Sequence, residues 1–371
     1  MNQTPTLRDR IKRRIELSGP MSVAEYMHVC MSDPAQGYYT STDPIGRRGD
    51  FVTAPEISQL FGEMIGLWAV GAWEAMGKPD SFALVEAGPG NGTLIGDILR
   101  TVRHFPQFMQ AASIHLLEAS PRMIERQRER TRGHDVTWHA NLAELPPVPL
   151  ILMANEFLDV LAFRQYVRSG GHWHEHCIGL DGGGELAFML GAATLDPAFL
   201  PTGWEREPDG SVFEYAPARE AWVQDLSHHL CEHGGLALLI DYGQLQSGFG
   251  DTFQAVENHK PVSPLGEPGR ADLTSHVDFS ALERAAREAG NARVASAAQG
   301  DFLLAMGLLE RAGALGATAD AGLRDELSLA VERLAGPQQM GNLFKVMAIS
   351  GSTLQPGSPP LPPFTASHLT R

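Results

Sequence analysis

The segment Val85–Leu94, VEAGPGNGTL, carries the residue types best suited to chemistry. It stands where the apolar run FALVEA gives way to an amphipathic stretch, so a strand should end there and a helix begin. Gly88, Gly90 and Gly92 let the backbone turn sharply and let a ligand approach with no side chain in the way. Glu86, at the carboxyl end of that strand, can face the cationic part of a ligand. A dinucleotide site wants GxGxxG with a pyrophosphate on the helix N-terminus, and a P-loop wants a terminal Gly-Lys-Ser/Thr. This sequence has GxGxG preceded by an acid, which suits a ligand bearing an ammonium group and no phosphate.

An acid just ahead of GxGxG, here Glu86 before Gly88, is the pattern of methyltransferase first loops, and S-adenosylmethionine is therefore the expected cofactor. A second acid, Glu118, ends the next apolar run in HLLEAS, 32 residues after Glu86. Carboxylates at this strand end accept hydrogen bonds from ribose hydroxyls in nucleotide-binding sheets. The gap exceeds the roughly 20 residues of the dinucleotide fingerprint, which calls for a long first helix or a loop over His104–Gln110. After the third run, HANLAELP offers Asn141 and Leu142 to the edge and face of an adenine.

The fourth apolar run ends in MANEFLDVLAF, which places Asn155, Glu156 and Asp159 at the mouth of the same sheet edge. Methyl transfer is an in-line displacement at carbon, so alignment dominates. For a guanidinium nucleophile, carboxylates can grip the group bidentately, steer its lone pair and accept the proton released late. Arginine cannot lose that proton first, because its pKa is too high. These three residues are the expected catalytic group. Asp241 and Tyr242, in IDYG at the end of the fifth run, either line the substrate channel or are structural.

The elements that must position these groups alternate. Apolar runs at 82–87, 113–119, 135–138, 149–155, 235–243, 292–297 and 343–349 alternate with helical patterns over Thr93–Arg103, Pro121–Thr131, Pro217–His233, Asp278–Ala289 and Asp320–Leu334. Near-continuous apolar strands between helices indicate an α/β fold with a doubly wound, mostly parallel, Rossmann-like sheet. Residues 1–80 read as a helical N-terminal cover: Leu7–Leu17, then Ser22–Met31 with the capping box Ser22 and Glu25, a loop over Asp33–Glu56, and an apolar helix Ile57–Met76. The sheet domain spans 81–350, with an inserted antiparallel segment at about 160–215 and a polar, Pro/Gly-rich one at about 244–277. Residues 351–371 form a flexible Pro/Ser-rich tail. Helix Ile57–Met76 serves either the core or a homodimer seam.

The totals narrow the function classes. Of 371 residues 43% are hydrophobic, enough for a substantial core, and the net charge of −15 disfavours nucleic acid and anionic membranes as partners. Three scattered cysteines, with no CxxC pair, give neither a disulfide framework nor a zinc ribbon. No stretch reaches the roughly 20 apolar residues of a membrane span, and the basic start lacks the apolar centre of a secretory signal. A cytoplasmic protein is expected. His172, His174 and His176 alternate on the inserted segment and would share one strand face, but no carboxylate-rich companion accompanies them. They are expected to be solvent-exposed, and no metal is expected.

Taken together and in order, GPMSVAEYMHVCMSDPAQGYY (19–39), GDFVTAPEISQLFGEMIGLW (49–68), VEAGPGNGTL, ANEFLDVLAF, LLIDYG (238–243), DLTSHVDF (272–279) and MGNLFKVM (340–347) resemble the MidA family of methyltransferases. Its mitochondrial member methylates an arginine on a core subunit of respiratory complex I during assembly. The resemblance covers about residues 18–350. It implies a class I methyltransferase fold, S-adenosylmethionine as donor, and a protein arginine as substrate, with a complex I core subunit as partner. It also implies a mitochondrial-matrix location for a eukaryotic member. Phe51, Thr53, Pro55 and Glu56 would fold over the cofactor cleft, and DLTSHVDF would help cover it, with His276 either catalytic or packed beside a capping Asp278. The competing readings are an assembly chaperone that binds S-adenosylmethionine, a small-molecule methyltransferase and, disfavoured by the glycine spacing, a dinucleotide oxidoreductase.

Overall fold

The computed structural model describes residues 5–41, 52–290, 292–351 and 363–364. The chain divides into two compact units, each assembled from three separate stretches.

The larger unit comprises Val52–Leu158, Glu220–Leu245 and Val277–Arg371. Its strands are β1 (Phe82–Ala87), β2 (Ala112–Leu117), β3 (Val136–His139), β4 (Leu150–Asn155), β5 (Gly235–Gln244), β6 (Arg293–Ala298) and β7 (Phe344–Ser350). They lie in the order β3-β2-β1-β4-β5-β7-β6, with the short strand Val277–Asp278 added beside the end of β5. Strands β1 to β5 run parallel, whereas β7 is antiparallel to both β5 and β6. Every residue of β1 and β4 is buried, as strands covered on both faces require. The order reverses between β1 and β4, which opens the ligand crevice of such sheets at their carboxyl ends. This is the sheet expected from the alternating pattern.

The helices of this unit include α1 (Gln59–Ala75), α2 (Thr93–Val102), α3 (Pro121–Arg130) and α4 (Phe279–Glu288). The expected helix Ile57–Met76 is broken at Ser58. Ser58 is extended, at φ −159° and ψ 140°, and its hydroxyl accepts the Leu60 amide at 3.2 Å, so it caps α1 while Ala54–Ile57 forms a separate turn. Serine's short hydroxyl competes with the helical backbone and favours this position. Leu60, Phe61, Met64, Ile65, Trp68 and Trp73 of α1 all belong to the core of the unit, so its apolar face is internal. The face is close-packed: a Cβ added at Gly62 would stand 2.4 Å from the Cβ of Asp97 on α2. The gap expected to hold a long first helix or a loop over His104–Gln110 holds neither alone: a second short helix, Pro106–Ala111, follows α2, with Phe108 buried against Trp73 and Phe82.

The second unit comprises Met1–Phe51, Asp159–Arg219 and Gln246–His276. Its five-stranded antiparallel sheet runs Met21–Ser22, His172–Leu180, Arg164–Ser169 and Val212–Tyr215, with Leu186–Thr194 also on His172–Leu180. The expected capping box is present, Ser22 N–H donating to Glu25 at 2.9 Å and Glu25 N–H to the Ser22 hydroxyl at 3.2 Å. Residues 244–277, which read as polar loop, carry a three-stranded antiparallel sheet of Lys260–Val262, Gln254–Glu257 and Asp272–Thr274. Its strands are too short for a pattern to show.

Two of the three histidines differ from expectation. His172 is exposed, but His174 and His176 are half-buried. A bulge between His174 and His176 interrupts their pairing. His176 stacks on Phe188 at 4.6 Å and places Nδ1 3.0 Å from Gln165 Oε1, and burial lowers its pKa. Among the described residues no group of three or more His, Cys, Asp or Glu is placed to hold a metal ion.

Candidate active site

The glycine loop leaves β1 and enters α2 through three left-handed residues, Gly88, Gly90 and Gly92, at φ +65°, +51° and +75°. At Gly88 a Cβ would meet the Phe157 ring at 2.6 Å, so both conformation and space demand glycine. Gly92 is the N-cap of α2 and has no side chain to fill the mouth above the helix.

Glu86 lies at the end of β1 beneath this loop and is only 3% exposed. The Ile95 backbone hydrogen-bonds to its carboxylate, yet its Oε2 atom is buried with no hydrogen-bond partner among the described residues. Burial, with the neighbouring Asp97 charge adding to it, pushes its pKa up to about 8. Asp97, buried on α2 and paired with Arg100, is itself pushed up to about 6 by burial. A buried carboxylate oxygen without a partner is costly, and a cation brought by a ligand removes that cost. The residues thus fit a ligand with an ammonium group, which the acid ahead of the glycines also suits.

Glu118 follows β2. Its Oε1 accepts the Ser120 amide at 2.8 Å and its Oε2 accepts Gln127 Nε2 at 2.9 Å. Burial raises its pKa, and these donors oppose the rise. Gln127, 0% exposed on α3, also donates to the Gly90 carbonyl at 2.9 Å and accepts from the Trp138 indole at 2.9 Å. It went unnoticed in the polar string PRMIERQRER, although Met123, Gln127 and Thr131 fall at four-residue spacing on one face, and all three are buried. Asn141 is exposed and gives its side-chain amide to Glu144 at 3.0 Å, while Leu142, half-buried, opens the short turn Leu142–Glu144.

The turn Ala54–Ile57 meets both the glycine loop and the end of β4. Glu56 Oε1 accepts the Thr93 hydroxyl at 2.6 Å and Asn91 Nδ2 at 3.4 Å. Ala54 N–H donates to Glu156 Oε1 at 3.0 Å, and Asn155 Nδ2 donates to the same oxygen at 3.1 Å. Thr53 is the N-cap of this turn, without a side-chain cap bond, and Pro55 is buried in its first residues. Phe51 lies outside the described residues. Glu156 is one of four non-glycine residues at positive φ among those described, at +51°, with its N–H bonded to the Ile240 carbonyl at 2.9 Å. A bulky residue in that conformation is strained and persists because its surroundings fix it.

Asp241 is fully buried and its carboxylate accepts the amides of Leu158 at 3.0 Å and Tyr242 at 3.0 Å. That gives it a structural task, pinning the chain just after Glu156. Tyr242 is buried edge-on against Phe344. Asp159 belongs to the second unit, where it is buried. Its carbonyl accepts Arg219 Nη2 at 2.8 Å. Arg219, another residue that sequence reasoning passed over, also donates to the carbonyls of Leu161 at 3.2 Å and His276 at 2.8 Å and to the Ser275 hydroxyl at 2.7 Å. His276 thus enters through its backbone, its N–H bonding Thr252 Oγ1 at 2.9 Å. The helix cap is Asp278, which accepts the Ala281 amide at 3.0 Å.

A family model of S-adenosyl-L-methionine-dependent methyltransferases matches residues 64–297. The chain belongs to this family. Among curated relatives, a Drosophila melanogaster protein named protein arginine methyltransferase NDUFAF7 homolog, mitochondrial, is 34% identical, covering 93% of this chain and 84% of its own. The Homo sapiens protein arginine methyltransferase NDUFAF7, mitochondrial, is also 34% identical, covering 93% of this chain and 83% of its own. A superfamily member from Burkholderia thailandensis, solved with S-adenosylhomocysteine bound, superposes with a TM-score of 0.80 at 27% identity over 93% of this chain and 91% of that one. The methyltransferase is therefore S-adenosylmethionine-dependent and has the expected class I sheet. Among its described residues no helix is long and apolar enough to cross a membrane.

Proposed function

We propose that this methyltransferase places methyl groups on an arginine of a protein, with a core subunit of respiratory complex I as the first substrate to test. The names of the curated relatives support a protein arginine. The observation that carries the reading at atomic level is Glu156, an acid held in a left-handed backbone at the end of β4 with one oxygen fixed by two N–H donors.

S-adenosylmethionine, when bound, supplies an electrophilic methyl group. Glu86 balances the ammonium of that ligand, and Gly88, Gly90 and Gly92 leave room for its amino-acid part. Glu118 accepts from the ribose hydroxyls, and Asn141 and Leu142 flank the adenine. Thr53 and Pro55 belong to the segment that covers the cofactor. Glu156 grips the substrate guanidinium, steers the lone pair of the attacking nitrogen toward the methyl carbon, and takes the proton once the carbon–nitrogen bond has formed. Asn155 keeps Glu156 in place. The net charge of −15 favours a basic protein segment over nucleic acid. The working compartment is the cytoplasm, or the mitochondrial matrix for a eukaryotic member.

The test is radiolabelled methyl transfer into lysate of a strain lacking this protein. Wild type should label one protein band, on arginine. Glu156→Gln should cut that labelling by about 100-fold or more while leaving binding of S-adenosylhomocysteine intact, whereas Gly90→Val should abolish both. Label confined to small molecules would move the substrate to a metabolite. Binding without any label would favour a chaperone and end the catalytic role of Glu156.

A further inference from the structure

Gln127 is a buried polar side chain beside the cofactor site to which the cofactor reading gives no role. It has no solvent exposure, sits in the middle of α3, and joins three elements that share no sequence neighbourhood. Its Oε1 accepts the Trp138 indole on β3 at 2.9 Å. An indole nitrogen only donates, so the amide oxygen must face it and the amide NH2 must face the other way. That NH2 reaches the Gly90 carbonyl in the glycine loop and Glu118 Oε2, each at 2.9 Å. Both N–H bonds are thereby spent on groups of the cofactor site. Beside these contacts, the Thr131 hydroxyl donates to the Gln127 backbone carbonyl at 2.9 Å, and the Arg128 guanidinium lies over the Trp138 ring, 4.6 Å from its centre. The amide therefore has one orientation available to it.

A carboxylate half-buried at a strand end has two ways to turn about its last bond. The Ser120 amide fixes one oxygen of Glu118 at 2.8 Å, and Gln127 fixes the other. Without Gln127 the second oxygen would lose the side-chain donor that holds it. We propose that Gln127 is the positioning residue of the cofactor site: its fixed amide aims the Glu118 carboxylate and tethers the glycine loop to α3, and so sets the affinity for the ribosyl end of the cofactor. The inference rests on the ribose role of Glu118. Nothing in it concerns the methyl acceptor, so it stands whatever the substrate.

The full chain is titrated by calorimetry with two probes, S-adenosylhomocysteine and its 2′-deoxy analogue, which lacks one ribose hydroxyl. Wild type should bind the deoxy probe about 10-fold more weakly. Gln127→Leu should weaken S-adenosylhomocysteine by about 10-fold and the deoxy probe much less, bringing the ratio of the two near one. Glu118→Ala should flatten the ratio on its own, and the double variant should bind no more weakly than Glu118→Ala, because the two residues act as one unit. Trp138→Phe keeps the ring, removes the donor that fixes the amide, and should narrow the ratio part-way. Equal weakening of both probes by Gln127→Leu, or full additivity with Glu118→Ala, would overturn the proposal in favour of a purely structural role. If Gln127→Leu does not fold, Trp138→Phe decides, and an unchanged ratio overturns the proposal. A wild-type ratio retained in Glu118→Ala would instead remove the ribose role of Glu118, and the proposal with it.

Discussion

Glu86 and Arg219 are both ionisable and almost fully buried, at 3% and 2% exposure, one in each compact unit. Their surroundings are opposite. Arg219 donates to three backbone carbonyls and a serine hydroxyl, and its guanidinium carbon lies 5.5 Å from the centre of the Phe163 ring. Glu86 keeps one oxygen without a partner among the described residues and has a second acid, Asp97, as its neighbour. A buried charge whose acceptors are supplied by the protein holds the fold together. A buried carboxyl left short of partners keeps its proton until a cation arrives from outside, and this is the mark of a group kept for a ligand.

The contrast can be broken most directly at Arg219. Arg219→Ala should destabilise the protein by about 3 kcal/mol or more, since it strands the carbonyls of Asp159, Leu161 and His276 in a buried site. Urea unfolding would measure it, and a loss under about 1 kcal/mol would show that the site relaxes or hydrates. Arg219→Lys should recover only part, because an ammonium cannot span the same fork of acceptors.

Glu86→Gln should move stability the other way. Folding holds a proton on Glu86, whose pKa rises from 4.5 to about 8. Its contribution is therefore fully present below pH 4.5 and is lost as pH rises through about 8. The ligand-free protein should show a melting temperature that falls across this range. Saturating S-adenosylhomocysteine, which carries the ammonium, should flatten the fall. Glu86→Gln should flatten it without ligand while weakening S-adenosylhomocysteine by about 10-fold or more. A wild-type slope in Glu86→Gln would assign the pH dependence to another group. The smallest effect is expected from Asp97→Asn, which removes the like charge beside Glu86 and should move the midpoint of the fall to lower pH. The same melting series reads it.

How much of this was legible in the sequence follows the same division. Strands β1 to β7 were readable because each is a near-continuous apolar run, and the glycine loop because its spacing is local. Helix α1 was readable but for its start, where the Ser58 hydroxyl ends one turn and begins the next. The second unit was far less visible. Its small sheet at 254–274 uses strands of three or four residues, and its buried cation collects acceptors from Asp159, Leu161, Ser275 and His276, which no local pattern links to residue 219. In the proposed site, Glu86, Glu118 and Glu156 stand at strand ends that the sequence marks. What holds them is not so marked: Gln127 lies in a helix of mostly charged residues, and the Ala54 amide that fixes Glu156 is 102 residues away.

The place of β7 has a consequence for biosynthesis. Among the described residues it is the last strand of the sheet to be made, yet it lies between β5 and β6 and pairs with both. β5 ends at Gln244, β6 at Ala298, and β7 begins at Phe344, so at ordinary translation rates the edge of β5 waits open roughly 5 to 20 s and that of β6 roughly 2 to 9 s. Open edges recruit other strands. A message truncated before codon 344 would yield a chain locked in that state, prone to aggregation and dependent on chaperones, with every residue of the glycine loop already in place.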